Sequence, residues 1–317
     1  MLLNVIVKDA TGMAARKSNR RSRRRTNSNV LNTLREFYAE ELRAVANLQS
    51  EAVVRAFAKV PREHFLGPGP WHIRNAGYGR RPLIRYRLTP DVDPSHLYHN
   101  VLVAIDPERG LNNGEPAFLS FLIDSLELQR GNRVVHVGCG TGYYTAIIGE
   151  VVGREGHVTA IEIDSGLAAR ARTNLSYLSQ VEVMQGDGGE IAPELSDAIL
   201  VNAGATHPRS VWLDSLRLDG TLLVPLTSTE NGDTGGGGRV LKVTRKAQGL
   251  AACFISGVGI FSCVGGRDAE LNQRLKAAFD RGDSRSVQSL LRDSHDEADT
   301  CWLHSDDFCL SKLAVGE

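Results

Sequence analysis

Several large functional classes are missing their usual marks in this sequence. Its 37 basic side chains are balanced by 37 acidic ones, so there is no whole-protein field to draw in nucleic acid or a membrane surface. No apolar stretch reaches the length of a membrane span or a secretory h-region, which points to a cytoplasmic protein without a membrane partner. The cysteines, Cys139, Cys253, Cys263, Cys301 and Cys309, are odd in number and form no Cys-x-x-Cys pair, so reduced thiols are expected. His295 and His304 lie near Cys301 and Cys309, but their spacing follows no familiar zinc pattern, and no metal site is expected. No internal repeat is present.

What remains is a chain of 317 residues, 42% of them apolar, enough to bury one large domain with attachments. Residues 1–29 read as a disordered basic arm: Arg16, Lys17, Arg20, Arg21, Arg23, Arg24 and Arg25 crowd together without apolar periodicity. A solvated tail is the plainer reading of this arm. Its functional reading is non-specific contact with a polyanion, the one route to nucleic acid; no aromatic tetrapeptide suited to a flipped base follows any strand.

Residues 30–115 read as N-terminal helices and substrate-side loops. Leu31, Leu34, Phe37, Leu42, Val45, Leu48, Val53 and Phe57 fall at helical spacing. From Gly67 to about Pro94 the chain is irregular, with Trp71, His72, Tyr78, Arg80, Arg81, Arg85, Tyr86 and Arg87 available to a substrate. Residues 116–266 alternate short apolar strands with helices, beginning at Val134–Val137. The pattern predicts an α/β fold: a Rossmann-like sheet, mostly parallel, closed by an antiparallel hairpin around Gly249. Residues 267–317 read as a helix over 268–291 followed by a patternless polar tail.

One strand runs straight into Gly138-Cys139-Gly140-Thr141-Gly142 and then a helix, where glycine admits a ligand close to the backbone and the helix start offers free N–H groups. The spacing is G-x-G-x-G, unlike the dinucleotide G-x-G-x-x-G, which favours S-adenosylmethionine. Glu162 ends the next strand, where a carboxylate accepts from ribose hydroxyls; Asp164 is the better helix cap. Asp187 and Gly188 follow the third strand, where a carboxylate beside flexible backbone can accept from an adenine amino group. Acid or glycine at the ends of three successive strands points to one crevice.

These residues resemble the protein-L-isoaspartate O-methyltransferase family. The resemblance runs from about Glu51 to Phe261: Val60-Pro61-Arg62-Glu63-His64-Phe65 is similar to its V-P-R-E-x-F motif, Gln185-Gly186-Asp187-Gly188 to its G-D-G signature, and Asp219 to Pro225 to its G-x-L-V-x-P strand. It implies a class I methyltransferase that uses S-adenosylmethionine to methylate a carboxylate or related polar group of a protein or peptide. The family's substrate motif, close to G-Q-T-I-S-Q-P, aligns with Gly110 to Pro116 and places Gly114 at the serine and Glu115 at the second glutamine. Asn112, Asn113 and Glu115 are therefore the candidate acceptor-site residues, with Asn-Asn-Gly as a plain turn the alternative. His136 and Arg239 are further departures, standing where the family tends to have an acid and a glutamine. Two other functions stay open: a methyltransferase for another acceptor, such as a peptide natural product, and a non-catalytic S-adenosylmethionine-binding adaptor.

Overall fold

A computed structural model describes residues 11–74, 86–191, 194–230 and 234–316, with backbone only for 11–28. The N-terminal layer holds α1 (Thr11–Ala46), α2 (Glu51–Lys59) and α3 (Glu63–Leu66). Asn47, with positive φ (51°), ends the first helix, and Ser50 caps the second by accepting from the Val53 N–H. Residues 11–29 were expected to stay unfolded; their backbone instead continues α1, in keeping with the good helix propensity of Ala, Arg and Lys. Residues 1–10 lie outside the described residues.

The long irregular stretch contains β1 (His72–Arg74) and β2 (Tyr86–Leu88), an antiparallel pair. Tyr78, Arg80, Arg81 and Arg85 lie outside the described residues. A second small pair, β3 (Ala104–Asp106) and β4 (Leu111–Asn112), precedes α4 (Pro116–Ser125). Then come β5 (Arg133–Val137), α5 (Tyr143–Val152), β6 (His157–Glu162), α6 (Ser165–Leu175), β7 (Val181–Gln185), β8 (Ser196–Val201) and α7 (Ser210–Asp214). The chain continues through β9 (Leu216–Ser228), β10 (Gly235–Lys246), β11 (Gly249–Phe261) and α8 (Ala269–Arg281), and finishes with β12 (Ser289–Leu291), β13 (Cys301–His304) and β14 (Cys309–Ser311).

One ten-stranded sheet has the order β13-β14-β12-β11-β10-β9-β8-β5-β6-β7. Its strands from β9 to β7 pair in parallel. After β7 the chain crosses back past β5 to lay down β8 on the other side, and such a switch point opens a crevice at the carboxyl ends of the strands. Period-two alternation divides the core: Val134 of β5 packs under α2 and α5, whereas Val135 and Val137 face α7 and α8. The antiparallel part goes well beyond the expected hairpin. The helix expected over 268–291 stops at Arg281 before Gly282, and the tail expected to be patternless contributes three strands. Those strands are three or four residues long, too short for alternation to show in the sequence. Among the described residues, no helix is long and apolar enough to cross a membrane.

Candidate active site

A cavity of about 1060 Å³ opens at the carboxyl ends of β5, β6, β7 and β8. Gly138, Cys139 and Gly140 from the β5–α5 loop, Glu162 from β6, Asp187 and Gly188 after β7, and Asn112, Asn113 and Glu115 after β4 all line it. Gly142 does not. It is the N-cap of α5 in left-handed conformation (φ 94°), and a Cβ there would stand 2.7 Å from Leu175 Cδ1. Its role is to turn the chain into the helix.

Glu162 is 7% exposed. Its Oε2 accepts from the Gly140 N–H at 2.7 Å and its Oε1 from the Asp164 N–H at 3.1 Å. Each carboxylate oxygen accepts more than one hydrogen bond, so capacity remains toward the cavity. Asp164 has the capping role: its Oδ1 accepts from the Leu167 N–H at 2.9 Å, and that bond together with Arg109 lowers its pKa. Asp187 Oδ1 accepts from the Gly189 N–H at 2.7 Å, and the Gly188 carbonyl accepts from Trp212 Nε1 at 2.6 Å. Burial pushes the Cys139 thiol pKa well above its ordinary value, with the Glu162 charge adding to the shift, so this cysteine is a neutral wall and not a nucleophile.

On the acceptor side, Asn112 Oδ1 accepts from the Gly114 N–H at 2.9 Å, a local Asx turn. Asn113 is buried; its N–H donates to the Val103 carbonyl at 2.8 Å and its Oδ1 accepts from Arg62 Nη2 at 3.4 Å. Both amide oxygens are thus engaged, and the Nδ2 groups are the donors left at the cavity wall. Gly114 has φ 81°, and a Cβ there would lie 3.1 Å from Leu119, so the backbone itself disfavours a serine. Glu115 is exposed at the rim, where its Oε1 accepts from Asn100 Nδ2 at 3.0 Å.

Three groups of residues carry roles that composition and pattern did not reveal. Arg62 is fully buried and donates to the carbonyls of Leu97, His99 and Val101 as well as to Asn113, so it fixes the loop beneath the acceptor wall. Its one sequence signal was a charge held inside an apolar motif. Arg74 of β1 lines the cavity and forms no ion pair with any described residue. Nothing in the sequence set it apart from its basic neighbours. The glycine-rich stretch from Gly235 to Gly238 forms strand: Gly235, Gly236 and Gly237 of β10, with Gly257 and Gly259 of β11, also line the cavity. His136 is a packed strand residue, bonded through Nδ1 to Thr145 Oγ1 at 2.9 Å. Arg239 sits in β10 and is not part of the cavity lining.

A parallel sheet whose central strand ends in a glycine loop, with an acid closing the neighbouring strand, defines a class I S-adenosylmethionine-dependent methyltransferase. The sequence profile of Protein-L-isoaspartate(D-aspartate) O-methyltransferase (PCMT) matches residues 35–249, and the chain belongs to that family. A protein-L-isoaspartate O-methyltransferase from Ignicoccus hospitalis is 31% identical over 183 residues, 56% of this chain and 75% of that protein. Protein-L-isoaspartate O-methyltransferase 1 of Archaeoglobus fulgidus is 32% identical over 202 residues, 62% of this chain and 80% of its own length. A solved protein-L-isoaspartate O-methyltransferase superposes with TM-score 0.58 at 18% identity, covering 88% of both chains, which shows the shared fold. A Plasmodium falciparum structure solved with S-adenosyl-L-homocysteine gives TM-score 0.53 at 17% identity, covering 72% of this chain and 97% of that one. The protein is a methyltransferase with S-adenosylmethionine as its cofactor, and the open cavity beside Gly140 and Glu162 fits that group.

Proposed function

We propose that the protein methylates a free carboxylate of a protein or peptide, held by Arg74 and by the Nδ2 amides of Asn112 and Asn113. The observation that carries this reading is Arg74: a cation that lines the same cavity as the glycine loop, without a carboxylate partner among the described residues. A guanidinium recognises a carboxylate through a bidentate fork, and two amide donors fix its remaining lone pairs. In this reading Gly138, Cys139 and Gly140 border the cofactor, Glu162 accepts from its ribose hydroxyls, and Asp187 with Gly188 meets its adenine. Bound S-adenosylmethionine supplies an electrophilic methyl group.

The protein's own task is placement. A carboxylate is already ionised at neutral pH, so the site needs no general base; it has to align one oxygen with the methyl carbon and keep water out. Glu115 is exposed and accepts from Asn100 Nδ2, so its negative charge is solvated and hydrogen-bonded.

The test is transfer of labelled methyl to an isoaspartyl peptide, scored against its aspartyl twin. Base-labile label on the isoaspartyl peptide is expected. Arg74→Ala should lower transfer on the order of tenfold to a hundredfold, the worth of a charge-assisted bond, with cofactor affinity unchanged. Full activity in that variant would sink the assignment of Arg74. The left-handed backbone at Gly114 favours one second reading, a different peptide acceptor such as a natural-product precursor. Cofactor binding without label on either peptide would point to that acceptor, or to a non-catalytic adaptor.

A further inference from the structure

Outside the cavity lining, at the β13 edge of the sheet, His295, Cys301, His304 and Cys309 converge. Their potential ligand atoms all lie within 4.8 Å of one another. The hairpin explains how two of its strands deliver three of the four. Cys301 pairs with Ser311 and His304 with Cys309, while the step from Cys301 to Leu303 spans a single residue of the partner strand. That bulge changes the alternation: residues 301 and 304, which a regular strand would send to opposite faces, share one face with Cys309. The fourth residue, His295, comes from the irregular segment between β12 and β13.

The surroundings of these side chains are those of ligands. His295 Nδ1 lies 3.0 Å from the Asp293 carbonyl and so carries the proton, leaving the Nε2 lone pair facing Cys301 Sγ at 3.8 Å. A backbone carbonyl on one ring nitrogen is the usual way a metal-binding histidine has its other nitrogen oriented. Cys301 Sγ accepts from the Ala298 N–H at 3.4 Å, a bond that stabilises a thiolate. His304 Nδ1 is buried and has no hydrogen-bond partner among the described residues, a cost that a ligand would remove.

We propose that His295, Cys301, His304 and Cys309 form a structural site for a divalent thiophilic cation, zinc above all. Two thiolates and two neutral imidazoles balance the charge of such an ion and complete a tetrahedron. Zinc bonds of the ordinary lengths put ligand atoms about 3.3–3.8 Å apart, so the widest pair, within 4.8 Å, needs to close by about 1.5 Å at most. The site leaves no open position for substrate, and its effect is mechanical. It pins the irregular segment to β13, the free edge of the sheet, and steadies the turn that carries Phe308, whose ring stacks on His207 just beyond β8. The spacing, His-x5-Cys-x2-His-x4-Cys, escaped recognition because the bulge cannot be read from residue order.

The experiment is metal analysis of the purified full-length protein, followed by stripping and titration with Zn²⁺ and Co²⁺ under reducing conditions. One zinc per chain is expected. Co²⁺ should give the intense visible bands of a tetrahedral ion together with near-ultraviolet thiolate charge transfer. Cys309→Ser and His304→Ala should lose the metal stoichiometrically, whereas Cys253→Ser, which changes an exposed cysteine outside the cluster, should keep it. Reduced wild-type protein that takes up no Zn²⁺ or Co²⁺ would overturn the proposal without recourse to any variant. A native Cys301–Cys309 disulfide, seen as two thiols missing from a denatured thiol count, would overturn it as well, as would full metal content in Cys309→Ser.

Discussion

Two glycines a single residue apart have different physical duties, and mutation should separate them. Gly140 borders the cavity and gives its N–H to Glu162, so Gly140→Val fills space the cofactor needs. Gly142 faces Leu175 from a left-handed N-cap and does not line the cavity. Calorimetry should find S-adenosylmethionine binding lost in Gly140→Val, which at φ 58° also carries about 1–2 kcal/mol of left-handed backbone strain but whose Cβ meets nothing closer than Ile105 at 3.9 Å. Gly142→Ala should keep cofactor binding while costing about 2 kcal/mol or more of stability, from the left-handed backbone and the contact with Leu175. Equal affinity loss in both without a stability difference would mean that the loop acts as one unit. His136 provides a pH signature. Burial lowers its pKa from 6.5 to about 4. Above pH 6.5 neither the folded nor the unfolded chain holds this proton and there is no penalty. As pH falls from 6.5 toward 4, only the unfolded chain takes it up, so stability declines, by at most about 3 kcal/mol. Urea midpoints across that window should fall in the wild type and flatten in His136→Gln, whose amide can still reach Thr145.

Elements were legible in proportion to the length of their pattern. The strand Val181–Gln185 and the helix Tyr143–Val152 occur with the boundaries their apolar residues imply, because both are bounded by Gly or by polar turns. β9, β10 and β11 run past the apolar segments Leu222–Leu226, Val240–Thr244 and Ala251–Val258 that pattern alone marks as strand. Their added residues include glycines and charges that propensity assigns to loops but that ladder pairing carries, as at Gly237↔Ser228 and Gly236↔Ile260. The cofactor side of the site was readable because its residues sit at strand ends, where topology makes them converge. The acceptor side was less so: Arg62 and Arg74 act through contacts 35 or more residues away or across a cavity, and no local period records them. The four residues at the β13 edge stand close together in the sequence, but their convergence depends on a bulge that residue order does not show.

At the scale of the whole molecule, the residues after Gly266 form part of the core. Leu275 and Ala278 of α8 are completely buried, and Phe254 of β11 meets Phe279 and Trp302 at 5.9 and 5.1 Å between ring centroids. β12 pairs with β11 through Leu250↔Leu290, and Arg281 donates to the Trp302 carbonyl at 2.8 Å. Fully burying each large apolar side chain is worth roughly 1.5–3 kcal/mol. Leu275, Leu290, Trp302, Leu303 and Leu310 together therefore match the about 5–15 kcal/mol that separates a typical folded domain from its unfolded state. A chain ending at Gly266 should fail to fold, giving no cooperative melt and no S-adenosylmethionine binding, although every cavity-lining residue is still present. A soluble truncated protein that melts cooperatively and binds the cofactor would show that the C-terminal strands are a detachable attachment. Chelation of the metal should fall between these extremes, because it frees the segment around His295 and the β13 edge while α8 and β12 keep their places. A melting temperature lowered by chelator, with cofactor affinity retained, is the expected result, and a chelator-treated protein that melts like the wild type would mean the hairpin holds by packing alone.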